Sequence, residues 1–144
     1  MQVKLSKIGD PDDELIGNLL WSPAQMIFGS RLEDEQLLQA ASEMFPDKRV
    51  SIVRHWMLID LVLPVQSQRR LENRGLQPVV LYANTVVGAP VANEFGVLSG
   101  YLRCYEDCFV ETPESFFVLA GQGSRKQAPE DAVQALARRC GIDL

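Results

Sequence analysis

Leu15, Ile16, Leu19 and Leu20 recur at the three-and-four spacing of a helix face, behind the opening Asp10-Pro11-Asp12-Asp13. Asp10 suits the N-cap, Pro11 the first helical position, and the two carboxylates the positive first turn. Trp21-Ser22-Pro23 stops the helix. A second helix is predicted from Ser30 or Leu32 to Phe45, with Ser30 and Glu33 as a capping-box pair. Its apolar stripe is Leu37, Leu38, Ala41, Met44 and Phe45, and Pro46 ends it. The pattern then changes. Val50 to Leu63, VSIVRHWMLIDLVL, opens on β-branched residues and predicts a strand. Strict alternation puts Val53, His55, Met57, Ile59, Leu61 and Leu63 on one face. The other face then carries Ile52, Arg54, Trp56, Leu58, Asp60 and Val62. This is longer than the roughly 3–10 residues of an ordinary strand, so a bend or bulge is expected inside it.

Pro64 to Asn73 predicts a short helix or turn, closed by Gly75. Gln77 to Val87 predicts another strand. Val97–Cys104, Cys108–Thr112 and Ser115–Gly121 follow with short connections, as in an antiparallel meander. The last helix runs from Pro129 to Cys140, with Glu130 and Asp131 at its start and Arg138-Arg139 at its end, matching the helix dipole. The predicted fold class is α+β: a mainly antiparallel sheet of about five strands with N-terminal helices and a C-terminal helix. One domain spans residues 1–144, with a helical part over 1–47, the sheet over 48–127 and the final helix over 128–141.

Composition narrows the function classes. With 47% hydrophobic and 23% charged residues, the chain is neither disordered, collagenous nor a coiled coil. No apolar run approaches the roughly 18–20 residues of a membrane helix. The start, MQVKLSKIGD, lacks the apolar core of a secretion signal. Three cysteines, an odd number, fit a reducing compartment, so the expected location is the cytoplasm. A net charge of −5 argues against direct nucleic-acid binding. The charge is uneven: residues 1–47 hold nine acidic and three basic side chains, and residues 48–74 hold two and six. Asp12, Asp13, Glu33 and Glu35, at two helix starts, are therefore candidates for an interface with a protein of basic surface. Trp56, Tyr101 and Arg103 are candidates on the sheet.

Few side chains offer chemistry. His55 is the one histidine, which excludes sites needing two, and no G-x-S-x-G elbow accompanies it. Cys104 and Cys108 are expected to face each other across a hairpin as small buried hydrophobes. Asp60, isolated in an apolar strand, is expected to be quieted by Arg54 or solvent. Gly121-Gln-Gly-Ser-Arg-Lys-Gln127 reads as a Gly-rich basic connection from strand to helix. Gly121, Gly123, Ser124, Arg125 and Lys126 form its alternative anion-binding set. No catalytic residue, metal site or cofactor is expected.

The C-terminal half also resembles a small domain family of unknown function found in bacterial genomes and their prophages. The matching pieces are Ala83, Val86-Val87, Tyr101-Leu102-Arg103, Cys108-Phe109-Val110-Glu111-Thr112 and Phe117 through Lys126, within residues 79–137. The chain departs from the pattern after Val87, where Gly88-Ala89-Pro90 and Glu94-Phe95 stand in place of an Asp-Ser and an Arg-Phe. The resemblance implies a small protein of the host bacterial cytoplasm, of mobile-element origin. The expected function is a non-catalytic interaction protein. It would bind and inhibit another macromolecule, as phage inhibitors of bacterial defence and toxin-immunity proteins do. The alternatives are a small enzyme or ligand-binding module using the Gly121–Gln127 segment, and a phage structural or assembly protein.

Overall fold

The computed structural model describes residues 11–47, 49–87 and 94–144. Its elements in chain order are α1 (Pro11–Trp21), β1 (Gln25–Phe28), α2 (Asp34–Met44), β2 (Val50–Val62), α3 (Val65–Asn73) and β3 (Val79–Val86). There follow β4 (Val97–Leu98), β5 (Cys104–Glu106), β6 (Phe109–Glu111), β7 (Phe116–Leu119), β8 (Gln122–Pro129) and α4 (Glu130–Cys140).

β2 is the spine of one sheet. β3 runs antiparallel along one edge of it, from Val53↔Val86 to Asp60↔Val79, and carries β4. Along the other edge lie β7, paired over Val50–Val53, and then β8, paired over Met57–Val62, both parallel to β2. β6 and β5 extend the sheet beyond β7, and β1 pairs antiparallel with β8. The fold is thus α+β, as expected, but the sheet is mixed, and among the described residues it has eight strands rather than about five. The reason is that residues 116–129 form nearly one continuous strand returning alongside β2 in β2's own direction. A parallel neighbour needs a long crossover connection, which local turn signals do not reveal.

A slip in alternation organises the core. His55 has φ +53°, in the left-handed region, at the middle of β2. Opposite it, three residues of β2 (Arg54–Trp56) face four of the neighbouring strand (Ala120–Gly123), a bulge at which Gly121 takes φ +68°. Across this point the two faces exchange parity. Val53 joins Trp56 and Leu58 in one cluster with Leu81, Leu102, Val110 and Leu119. Ile59 and Leu61 join Leu19, Val80, Val133 and Leu136 in another, under α1 and α4. Ile52 packs with Leu37 of α2 and with Val118 and Ala120. The expected bend is present, and it corrects the strict alternation, which separated Val53 from Trp56 and Leu58.

The helices form for local reasons. α2 begins at Glu33, with the backbone N–H of Glu33 donating to Gln36 Oε1 at 3.1 Å. The capping residues are therefore Glu33 and Gln36 rather than Ser30 and Glu33; Ser30 instead bridges to Ala120. α3 and Gly75, at φ +71°, stand where the sequence places them. α4 buries Ala132, Val133, Ala135, Leu136 and Ala137, and Gly141 ends it at φ +74°. No helix among the described residues is long and apolar enough to cross a membrane.

Candidate functional site

The charged groups singled out in the sequence are largely committed within the fold. Asp12 accepts from Arg138 Nε and Nη2 at 3.0 and 2.7 Å, and Asp13 pairs with Arg139, so two carboxylates of α1 clamp it to α4. Asp34 accepts from Arg54 at 2.6–2.8 Å. The acidic helix starts therefore do structural work that the sequence alone did not require. Glu33 stands at the start of α2 and Glu35 in its exposed first turn.

The Gly-rich segment is strand β8, not a connection. Arg125 makes a bidentate pair with Asp60 at 2.8 Å to each oxygen, so Arg125 rather than Arg54 is the partner of that carboxylate. This hydrogen-bonded pairing raises the Arg125 pKa. Lys126 is 7% exposed, and its ammonium donates to Leu19 O, Ser22 O and Ser22 Oγ at 2.6–3.1 Å. It caps the C-terminus of α1, which has no basic residue in its own last turn. Burial pushes its pKa down. Both cations of the alternative anion set are thus used internally.

The sheet candidates do not converge. Trp56 is 2% exposed, with its indole N–H donating to Ala120 O at 3.2 Å, so it is a core anchor rather than a surface residue. Tyr101 is half-buried against the cluster under α4, and burial raises its pKa. Arg103 is exposed, beside a separate depression with Arg49 and Glu114. Cys104 pairs across the hairpin with Glu111, and Cys108 sits in the turn, so the two thiols are not cross-strand partners. Burial raises the pKa of Cys108 and of Cys140, which favours the unreactive thiol. Among the described residues no group of three or more His, Cys, Asp and Glu side chains is placed to hold a metal.

What the fold does assemble is a cleft of about 670 Å³ across the slip in β2. α1 and α4 cover one end of this face and α2 the other, and the strip between them is open. The walls come from Leu20 and Trp21 at the end of α1, Met26 of β1, Arg54–Met57 of β2, Tyr82 and Asn84 of β3, and Ala120–Ser124. His55 is exposed, and its Nδ1 lies 3.2 Å from Thr85 Oγ1. Trp21 is 87% exposed and Met26 59%, at the rim. Gly123 is required here: a Cβ on it would come within 2.2 Å of the Trp56 ring. Gly121, Gly123 and Ser124 of the predicted anion set do belong to this cleft, while Arg125 and Lys126 do not line it. Pairing an apolar rim with a few polar groups is the usual make-up of a binding pocket. Sequence inspection missed the cleft because His55 read as one more position of an alternating strand and Trp21 only as a helix stop.

A family model described as Domain of unknown function (DUF6957) matches residues 28–135, from the end of β1 into α4. It extends well to the N-terminal side of the segment that carries the resemblance, taking in α2 and β2. The part of the divergent loop at 88–93 lies outside the described residues. No curated protein and no solved structure matches.

Proposed function

The chain belongs to the DUF6957 family, and from that premise we propose that it is a non-catalytic binding protein whose working surface is the His55 cleft. One observation carries this: a histidine in left-handed conformation stands exposed in mid-strand, at the centre of an open cleft rimmed by Trp21. A non-glycine residue there costs roughly 1–2 kcal/mol. Strained positions of this kind concentrate at functional sites. A tryptophan left this exposed on a rim is the residue type most enriched among interface hot spots. His55 and Thr85 alone do not make a hydrolytic site, because among the described residues no carboxylate bonds the other ring nitrogen.

The partner is a macromolecule, a protein of basic surface, drawn by the net charge of −5 and held by a side chain or loop entering the cleft. The biological form is inhibition of that partner in a bacterial cytoplasm, in the manner of a phage inhibitor or an immunity protein. A second reading, a small ligand-binding module, is favoured by Gly121, Gly123 and Ser124 lining the cleft, whereas Arg125 and Lys126, which an anion would need, are engaged within the fold.

Affinity capture from a lysate of the source cells tests the proposal. A partner bound by the wild type should be lost by more than about tenfold with Trp21→Ala, an exposed residue that the fold does not need. Glu33→Gln with Glu35→Gln should slow association without abolishing capture. Capture that survives Trp21→Ala and His55→Gly together would sink the cleft as the working surface.

A further inference from the structure

Among the described residues β1 ends the sheet, with β8 as its one strand partner. In that antiparallel pairing the Gly29 N–H donates to Gly121 O at 2.8 Å. By the alternation of such a ladder, Ile27 and Gln25 also turn their backbone groups towards β8, and Met26 and Phe28 turn theirs away. The side chains of Met26 and Phe28 share one face of the strand and are 59% and 63% exposed. From Ser22 to Ser30, SPAQMIFGS, no residue is charged, in a chain where 23% are. Natural edge strands are commonly guarded by lysine or an inward-pointing charge; β1 carries neither.

We infer that β1 is the interface of a symmetric homodimer, pairing with β1 of a second copy about a two-fold axis at Ile27. Charge and register both select a second copy. Two chains of net −5 repel through most surfaces, and this edge is a place where they meet without charge. With the axis at Ile27, Met26 lies opposite Phe28 of the copy, and Phe28 opposite Met26. These are the residues whose N–H and C=O groups face outward, so each pair exchanges both of its backbone hydrogen bonds. Each thioether then meets a ring, a favourable contact. The edge is self-complementary in length, alternation and side-chain chemistry, and the sheet becomes continuous through the dimer. Met26 is shared with the rim of the His55 cleft, but Ile27 and Phe28, the two positions that test this inference, do not line it.

Sedimentation equilibrium of the full chain at tens of micromolar should give twice the 16.1 kDa chain mass. Phe28→Lys places an ammonium against Met26 twice in each dimer and should weaken association at least about tenfold. Its melting temperature as a monomer should stay unchanged, since the side chain is exposed. Ile27→Cys in a Cys104→Ser chain should form an intermolecular disulfide under mild oxidation. Residues opposite each other in a non-hydrogen-bonded pair stand about 4.5 Å apart at Cα, within disulfide reach. That arm decides the matter if Phe28→Lys folds poorly. A wild type that is monomeric throughout, with no Ile27→Cys cross-link, would overturn the proposal. A dimer that tolerates Phe28→Lys and does not cross-link at Ile27 would place the interface elsewhere and overturn it too.

Discussion

Between Ile59 and Leu61, β2 lies beneath α1 and α4, and Leu19, Val133 and Leu136 close over it beside Val80 of β3. A few residues earlier, at His55, the same strand is exposed and its backbone strained. In the covered part the charged groups around the helices serve the fold. Asp12 and Asp13 hold Arg138 and Arg139, and the Lys126 ammonium closes the end of α1. In the open part large apolar side chains, Trp21 and Met26, face solvent beside a histidine. Local stability alone accounts for the first arrangement and not for the second. The contrast teaches where to look for function in this fold: at the parity slip that the helices leave uncovered.

The contrast can be broken first from the covered side. Leu136→Ala removes a fully buried side chain from the α4 face and should cost about 3 kcal/mol in urea unfolding, through lost burial and a residual cavity. Trp21→Ala, on the open side, should leave the unfolding midpoint almost unchanged. Equal losses at the two positions would erase the distinction between the regions. Lys126→Met keeps the length of the stem but leaves the last carbonyls of α1 without their cap, and should cost about 2 kcal/mol. Hydrogen exchange localised to α1 would identify the cause; uniform destabilisation would contradict it.

A smaller effect concerns acid. The hydrogen bond from Arg138, aided by the charges of Arg138 and Arg139, holds the Asp12 carboxyl below its ordinary range. A carboxyl depressed in the folded state contributes stability above its unfolded pKa, and that contribution is lost as pH falls through the folded value. The wild type should therefore lose part of the α1–α4 clamp only below about pH 4. Asp12→Asn should flatten that segment of the stability profile and leave the slope near neutrality alone. A flattening near pH 7 instead would point to a different group.

Much of this was legible in the residues. α1, α3 and α4 follow their stop signals and charge order, and the bend in β2 follows from its length. The rest was hidden for physical reasons. β1 is four residues, Gln-Met-Ile-Phe, too short for a periodic signal to emerge. β8 reads as a loop because Gly123 makes room for the Trp56 ring and Lys126 reaches α1; both look like loop residues until the tertiary partner is known. Asp60 looked isolated because Arg125 lies 65 positions away. Parity along β2 could not be carried past His55, since one left-handed residue exchanges the faces without leaving a mark in the hydrophobic pattern. The cleft is the sum of these hidden features, so it was the least legible part of the molecule.

The most direct test is the unfolding free energy of His55→Gly against wild type. If His55 is held in its conformation for binding rather than for stability, glycine relieves roughly 1–2 kcal/mol of left-handed strain. It gives back roughly 0.5–1 kcal/mol in unfolded-chain entropy. The variant should thus be more stable by about 0.5 kcal/mol, a small effect opposite in sign to those of Leu136→Ala and Lys126→Met. A His55→Gly chain clearly less stable than wild type would show that the histidine serves the fold, and the contrast between the two parts of β2 would not stand.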